Sequence, residues 1–153
     1  MIANPTNQTG EQLELRSRLS DMVQLHPWIE TLASRHSIPS DMQFAIELCL
    51  EEVVSNVIRH GYAGAAEDSW VIVRFTMLRA GDFEFIVDDE APRFNPLNAP
   101  EPKVIDSDEE IRVGGQGIRL VRQFANAVEY EETPTGNRLR MSFSPCQSAP
   151  RSK

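Results

Sequence analysis

Within the strongly hydrophobic stretch Ile46 to Tyr62, four of the polar residues have spacings that would bring them together. Glu52 and Asn56 are four residues apart, and Arg59 and His60 follow one turn later. Residues at this spacing share one face of an α-helix. Polar groups on a buried helix require partners, and a ligand or a metal ion can be such a partner. This face is therefore a candidate binding site.

The apolar residues of the same stretch predict a largely buried helix, because they cover most of its surface. They form one stripe with its flanks: Ile46, Leu50, Val53 and Val57, widened by Leu48, Val54 and Ile58. A purely structural interpretation is also open at this point. In that interpretation Glu52 and Arg59 lie at a solvent-exposed seam, and Asn56 bonds a neighbouring loop.

A second candidate is a carboxylate at the end of a predicted strand, Phe83 to Asp89. When residues are counted with the period of two of a β-strand, Asp89 falls on the side of Phe85 and Val87 and not on the side of Asp88. A carboxylate at the end of a core-facing row is a candidate ligand contact. The alternative is that Asp89 has already left the strand and caps the following turn.

A third candidate is the glycine-rich start of a predicted helix, Gly114 to Gly117. The apolar residues that follow, Ile118, Leu120, Val121 and Phe124, would form its inner side. A helix N-terminus entered through glycines exposes free N–H groups at the positive end of the helix dipole, which suits a phosphate group. This motif alone is a weak signal, because it lacks the third glycine and the preceding strand of a dinucleotide-binding fold.

The segment between the second and third candidates, Ala91 to Val113, has no hydrophobic period. It contains four prolines and a run of acidic residues. A loop of more than about 15 residues is uncommon in a compact domain and is usually functional. We expect the acidic part, Glu101 to Glu110, to belong to a mobile lid. The alternative is that these charges only keep a surface loop solvated.

The elements that must position these groups follow the order β-α-α-β-β-lid-α-β-β. Ser40 and Gln43 have the spacing of a capping box at the start of the central helix, and Gly61 is expected to end it. Pro27 either kinks the preceding helix or marks its true first turn. The predicted elements are a strand at 12–19, helices at 21–36 and 40–60, strands at 70–78 and 83–89, a helix from 114, and strands at 128–132 and 137–143.

Length and composition predict one domain, residues 12–144, with flexible termini at 1–11 and 145–153. The chain has 153 residues, of which 41% are hydrophobic. The formal net charge of −8 argues against nucleic acid as a direct partner, because phosphate backbones are bound by clustered Lys and Arg. We also expect no membrane association and a cytoplasmic location, since no leader and no long apolar run is found in the sequence.

Together, the three candidates have the order and spacing of the N, G1 and G2 boxes of the GHKL (Bergerat-fold) ATPases. The boxes are Glu52-x-x-x-Asn56, Asp89-x-Ala91-x-x-Phe94 and Gly115-x-Gly117. Within that superfamily, the segments EVVSNVIRHGY, DDEAPRFNPL and GGQGIRLVRQF resemble the RsbW/SpoIIAB-type serine/threonine kinases that act as anti-sigma factors. The resemblance covers residues 12 to 144.

The resemblance implies an α/β two-layer sandwich with a mixed, mostly antiparallel sheet, three helices on one face and an ATP lid. It also implies the cofactors ATP and Mg²⁺. Glu52 would be the general base that accepts the proton of a substrate serine, and Asn56 would hold Mg²⁺. Asp89 would bond the amino group of adenine. The remaining nucleotide-binding positions would be Arg59, His60, Ala91, Phe94, Gly115 and Gly117.

One residue departs from the family pattern. Ala91 stands where the D-x-G element has glycine. If the backbone there requires a positive φ or a very close approach to the nucleotide, the added methyl group would weaken nucleotide binding.

The implied function is an ATP-dependent serine/threonine protein kinase that acts as an anti-sigma factor. Its partners would be a sigma factor, a STAS-type anti-anti-sigma protein as substrate, and a second copy of the chain in a homodimer. An alternative is a nucleotide-gated regulatory binding protein without kinase activity, and the presence of Glu52 favours the kinase. A histidine kinase catalytic domain is a third interpretation. It is disfavoured because no dimerisation helices with a phospho-accepting histidine precede the domain.

Overall fold

The computed structural model describes residues 11–62, 69–79, 81–98 and 114–145. Within these ranges a five-stranded sheet carries three α-helices on one face, which confirms the predicted two-layer sandwich. The strands are β1 (Glu11–Arg16), β2 (Trp70–Arg79), β3 (Asp82–Asp89), β4 (Ala127–Glu132) and β5 (Asn137–Phe143), and the helices are α1 (Leu25–His36), α2 (Ser40–Asn56) and α3 (Gly114–Phe124). Shorter elements are the 3₁₀ helices Leu19–Gln24 and Pro96–Asn98 and a π-helical turn at Val57–Gly61.

The strands lie in the order β1-β2-β3-β5-β4. All four pairings between the described strands are antiparallel, so the described sheet is antiparallel where a mixed sheet was expected. The tight turn between β2 and β3 contains Gly81, which has a φ of +87°. Residues with a side chain are strained at this φ, so the turn favours glycine. Because β3 lies in the middle of the sheet, its last residue is flanked by strands on both sides.

Alternate strand residues form the core together with the inner faces of the helices. Phe75, Phe85 and Phe143 are among the largest fully buried side chains. Trp28 of α1 meets Phe85 edge to face, with 6.2 Å between the ring centroids. Burial of one such side chain contributes about 1.5–3 kcal/mol, so these rings fix the helices against the sheet.

The first strand is shorter than predicted. β1 ends at Arg16, and Leu19, the last residue of the predicted strand, is 45% exposed in the following 3₁₀ helix. The Asp21 carboxylate accepts a hydrogen bond from the Arg16 N–H (2.9 Å) and so turns the chain out of the sheet. α1 then begins at Leu25 with Pro27 in its first turn, where proline is tolerated, and the second of its two predicted roles is therefore correct.

The predicted capping box at the start of α2 is wrong. The N-cap is Pro39 and no side chain caps the helix, since Ser40 is already its first residue. The Gln43 side chain, which was expected to reach back, donates to Glu47 Oε2 (3.1 Å) further along the helix. The Gln43 N–H donates to the Pro39 carbonyl (2.8 Å), so backbone geometry alone starts the helix.

Several predictions fall outside the described residues. They are the flexible ends, apart from Glu11 and Pro145, and the acidic lid at 101–110. Glu11 is the first residue of β1, one residue before the start of the predicted strand, and its carboxylate accepts a hydrogen bond from Arg35 (2.5 Å). In the part of the chain that the structure describes, no helix combines the length and the apolar composition needed to cross a membrane.

Candidate functional site

The first and third candidates meet where α2 packs against α3. A Cβ atom built on Gly117 would lie 2.6 Å from Glu52 Oε1 and 3.2 Å from Asn56 Nδ2. Real Cβ atoms do not approach other atoms to 2.6 Å. Glycine at position 117 therefore allows α3 to lie directly against the polar face of α2, and the two motifs form one site.

The side chains of Glu52 and Asn56 are half-buried. Within the described residues, neither side chain makes a hydrogen bond or an ion pair. Half-buried carboxylate and amide groups without partners are costly, and a ligand is one way to satisfy them. The purely structural interpretation required Asn56 to bond a neighbouring loop, and no such bond is made in the described ranges.

Asp89 is the last residue of β3 and is only 8% exposed, in the core-facing row that the sequence predicts. Its Oδ1 accepts hydrogen bonds from the Ala91 N–H (2.9 Å) and from Asn137 Nδ2 (2.8 Å). The first bond is the turn cap of the alternative interpretation, so Asp89 both ends the strand and caps the turn. Among the described residues, Oδ2 accepts no hydrogen bond.

The two adjacent carboxylates of β3 lie in opposite environments. Burial raises the pKa of Asp89, and the hydrogen bonds from Asn137 and Ala91 only partly oppose this. Asp88 lies on the other face of the sheet. Burial raises its pKa as well, but hydrogen bonds from Arg138 (2.7 and 2.8 Å) and Arg74 outweigh burial and hold the pKa below its usual value. Of these two carboxylates, Asp89 is the one that has no cationic partner among the described residues.

Asn137 holds the segment that follows β3, and the sequence analysis did not single it out. Besides Asp89, its Nδ2 donates to the carbonyls of Ala91 and Pro92 (both 3.2 Å). Its Oδ1 accepts hydrogen bonds from the Phe94 N–H (2.9 Å) and from the Tyr130 hydroxyl. One buried amide therefore bonds almost the whole G1 segment.

A signal for Asn137 exists in the sequence. The period-two count that identified Asp89 also places Asn137 in the core-facing row of β5, with Leu139 and Met141. Asn137 also lies directly opposite Asp89 in the strand register. The residue before Asn137 must be glycine, because the backbone of Gly136 lies very close to the end of β3. A Cβ atom at position 136 would lie 2.0 Å from the Asp89 carbonyl oxygen.

A cavity of about 580 Å³ opens between α2, the end of β3 and the last hairpin. Its volume lies within the range of about 300–1,000 Å³ that is typical of small-molecule sites. Its walls are mostly apolar, with Val53, Val87, Ile118 and Leu139 among the lining residues. Five of the predicted site residues line it: Asn56, His60, Asp89, Ala91 and Phe94.

The other predicted site residues lie beside this cavity or away from it. Glu52 and Gly117 adjoin Asn56 without lining the cavity, and Arg59 is exposed and is not part of the lining. Gly115 lies in the first turn of α3, and the surroundings of this residue fall outside what the structure describes. The structure thus brings three motifs together and leaves Arg59 outside.

The π-helical turn explains the different positions of Arg59 and His60. At the end of α2 the Tyr62 N–H donates to the Val57 carbonyl (2.9 Å), a spacing of five residues, so the turn contains one residue more than an α-helix. The prediction used α-helical spacing, which puts both residues on the face of Asn56. In the wider turn only His60, four residues after Asn56, borders the cavity. Such turns occur frequently at functional sites.

The π-helical turn is fastened to the segment after β3. The Tyr62 hydroxyl accepts a hydrogen bond from the Glu90 N–H (2.6 Å) and donates to the Trp70 carbonyl (2.9 Å). A Cβ atom on Gly61 would lie 3.0 Å from the Cβ of Ala91, which is 4% exposed. Ala91 does not have a positive φ. The backbone at position 91 therefore does not require glycine for a positive φ, which was the first of the two reasons why alanine there could weaken nucleotide binding. The methyl group of Ala91 fits because residue 61 is glycine.

Comparisons with known proteins agree with this arrangement. The sequence matches the family described as Histidine kinase-like ATPase domain over residues 15–143. Serine/threonine-protein kinase BtrW of Bordetella bronchiseptica is 26% identical over 126 residues, which cover 82% of this chain and 84% of that protein.

Two solved structures are similar in fold. The RsbU and RsbW domains of a Mycobacterium tuberculosis protein match with a TM-score of 0.63 and 12% identity, over 88% of this chain and 31% of that chain. The mycobacterial sensor histidine kinase MprB matches with a TM-score of 0.53 and 14% identity, over 88% of this chain and 96% of that chain. At these identities the likeness concerns the fold alone.

Proposed function

Because the chain belongs to the histidine kinase-like ATPase family, we propose that it is an ATP-dependent serine/threonine protein kinase that acts as an anti-sigma factor and phosphorylates a STAS-type protein. Its family membership makes it a kinase-like ATPase domain of the GHKL type, related to BtrW. The serine/threonine reaction, Mg²⁺, the sigma factor and STAS partners, the homodimer and the cytoplasmic location belong to the proposal.

One observation carries the proposed kinase activity. Glu52 and Asn56 stand one turn apart on a buried helix, without partners in the described residues, and glycine at position 117 adds no side chain that would displace either of them. A binding protein without catalysis has no need of an unpaired carboxylate at this place. A phosphoryl-transfer enzyme needs a base next to its metal ligand, on a rigid element.

The cavity offers the contacts that ATP requires. Its apolar walls suit a purine ring. Oδ2 of the buried Asp89, which accepts no hydrogen bond in the described part of the chain, is an acceptor for the amino group of adenine. Phe94, which is 62% exposed, offers its ring at the cavity. His60 borders the same cavity from the π-helical turn and is our candidate for a phosphate contact.

The donor set also fits a magnesium ion. Mg²⁺ prefers oxygen ligands and is commonly held by one or two protein groups together with phosphate oxygens and water. The side-chain oxygen of Asn56 has no hydrogen-bond partner among the described residues and would serve as the protein ligand. When bound, the ion would neutralise the charge of the phosphate groups.

Glu52 would act on the protein substrate. It would accept the proton of a serine hydroxyl while the serine oxygen forms its bond to the γ-phosphorus, and ADP would leave with the bridging oxygen. General-base catalysis of this kind contributes about 10²–10⁴-fold to the rate. We therefore expect Glu52→Gln to bind ATP normally and to transfer phosphate 10²–10⁴-fold more slowly than the wild type.

Three variants on the same helix test these roles. Glu52→Gln is compared with Glu51→Gln, which removes a neighbouring exposed carboxylate and should leave both binding and transfer unchanged. Asn56→Ala should weaken Mg²⁺-ATP binding as well as transfer. Each variant is incubated with labelled ATP and candidate STAS proteins, phosphoserine is quantified, and ATP affinity is titrated separately.

Two results would change the proposal. If Glu52→Gln transfers phosphate at the wild-type rate, the base assignment is wrong. If the wild-type chain binds ATP and its partners but never phosphorylates a STAS protein, it is instead a nucleotide-gated regulatory binding protein.

A further inference from the structure

We propose that Asn137 is a positioning residue for base recognition: it fixes Asp89 so that one carboxylate oxygen is reserved for a purine that carries a 6-amino group. This inference rests on the proposed binding of ATP in the cavity. It adds a residue outside the three motifs and a specific reason why the site should prefer an aminopurine.

The orientation of the Asn137 amide is determined by its neighbours. The Phe94 N–H and the Tyr130 hydroxyl both donate to Oδ1. On the other side, Nδ2 faces three acceptors, namely Asp89 Oδ1 and the carbonyls of Ala91 and Pro92. A flipped amide would place its oxygen against these acceptors and its nitrogen against the Phe94 N–H. Only one orientation satisfies the whole set.

The fixed amide determines how Asp89 can be used. The donors from Asn137 and Ala91 both end on Oδ1, at 2.8 and 2.9 Å. Oδ2 is left without a donor in the described residues, although Asp89 is more than nine-tenths buried and lines the cavity. Buried polar atoms are almost always hydrogen-bonded. An exocyclic amino group is a donor that matches this acceptor, whereas a ring carbonyl at the same position would repel it.

The strand register makes Asn137 suitable for this role. It lies opposite Asp89 in the pairing of β5 with β3, so the two side chains share the inner face of adjacent strands. Through Phe94 the same residue also places the exposed aromatic ring at the cavity. The acceptor and the aromatic ring are thus held by one side chain.

The test compares two nucleotides that differ only at the 6-position. ATP carries the amino group, and purine riboside triphosphate carries hydrogen there. Binding of each to the full chain is measured by calorimetric titration with Mg²⁺. Because a hydrogen bond to a charged group is involved, we expect the wild type to prefer ATP by about 10–100-fold. In Asn137→Ala we expect this ratio to fall below about 3-fold, in addition to any loss that both nucleotides share because Phe94 is no longer held at the cavity.

A merely structural role would give a different result. If Asn137 only stabilised the hairpin, Asn137→Ala would weaken both nucleotides equally and leave the ratio unchanged, which would overturn the inference. Asn126→Ala is the matched control. It removes another asparagine that bonds the backbone at the β4–β5 hairpin, through the Ser144 N–H (2.8 Å), and should leave the ratio unchanged.

Two further variants make the test decisive. Asn137→Leu keeps approximately the size of the side chain but has no donor for Asp89, so the ratio should fall even if the smaller side chain of Asn137→Ala prevents folding. In an Asp89→Asn background, Asn137→Ala should not change the ratio any further, because Asn137 acts through Asp89. A further fall of the affinity ratio in this double variant would show that Asn137 does not act through Asp89, which would overturn the inference. A wild type that binds neither nucleotide would overturn the proposed function itself, which is a separate outcome.

Discussion

Replacing Gly117 by alanine should separate the stability of the fold from its chemistry. The new Cβ would lie 2.6 Å from Glu52 Oε1, and ordinary contact begins at 3.4 Å, so the carboxylate must move by about 0.8 Å. This movement is inexpensive, because the atom is the far end of a flexible, half-buried side chain. Alanine also stabilises a helix relative to glycine by about 0.5–1 kcal/mol. We expect the free energy of unfolding of Gly117→Ala to be unchanged or up to about 1 kcal/mol higher than that of the wild type.

Phosphate transfer should respond in the opposite direction. A displacement of about 1 Å in a positioned catalytic group can lower the rate by about 10²-fold, so Gly117→Ala should transfer phosphate about 10²-fold more slowly than the wild type. Chemical denaturation gives the stability, and single-turnover transfer of labelled phosphate to a STAS protein gives the rate. The reasoning fails if the variant transfers at the wild-type rate. It also fails if the fold loses more than about 2 kcal/mol, because the clash would then not be relieved by the side chain.

Three other predictions concern the end of β3 and the residues packed against it. Gly136→Ala places its Cβ 2.0 Å from a backbone oxygen that cannot rotate away, so its unfolding free energy in urea should fall by about 1–3 kcal/mol or more; wild-type stability would contradict the close approach. Gly61→Ala should destabilise the fold by itself but be tolerated together with Ala91→Gly, because the two Cβ atoms compete for one space. A double-mutant cycle should give a coupling energy of about 1–3 kcal/mol, and additive effects would show that the two positions do not compete. Burial raises the pKa of Asp89, so its ionised form opposes folding above the folded-state pKa, and this cost fades as the pH falls through that value. Asp89→Asn should therefore be more stable than the wild type at neutral pH and lose this advantage in the acidic range, and a difference independent of pH would exclude this cause.

The groups that the sequence placed correctly follow from simple periods. The strand period of two put Asp89 in the inner row of β3, and the helical spacing of four put Glu52 and Asn56 on one face of α2. These rules hold because both elements are regular where the residues lie. The same reasoning predicted the order of the elements, since each strand and helix has its own apolar pattern.

The errors occur where a local rule competes with its surroundings. Ser40 and Gln43 have the spacing of a capping box, but the Gln43 side chain finds a partner in Glu47, one turn along the helix. Arg59 fell outside the site because the helix widens into a π-helical turn, which has no reliable sequence signal. The period-two count places Asn137 in the inner row of β5, but that count does not show what the residue bonds, because its partners in the G1 segment lie more than forty positions away.

The bond between Asn137 and Asp89 joins residues that are 48 positions apart, and it determines when the site can form during synthesis. A chain leaving the ribosome exposes α2 and β3, with Glu52, Asn56 and Asp89, well before β5. Until β5 pairs with β3, the Asp89 carboxylate lacks one of its two donors and the sheet lacks one of the neighbours of its central strand. Non-local strand pairings form late, because the connecting chain must be ordered first. With the proposed mode of binding, we therefore expect selective recognition of ATP to be acquired at the end of folding, so that ATP stabilises the finished domain and does not guide the earlier steps.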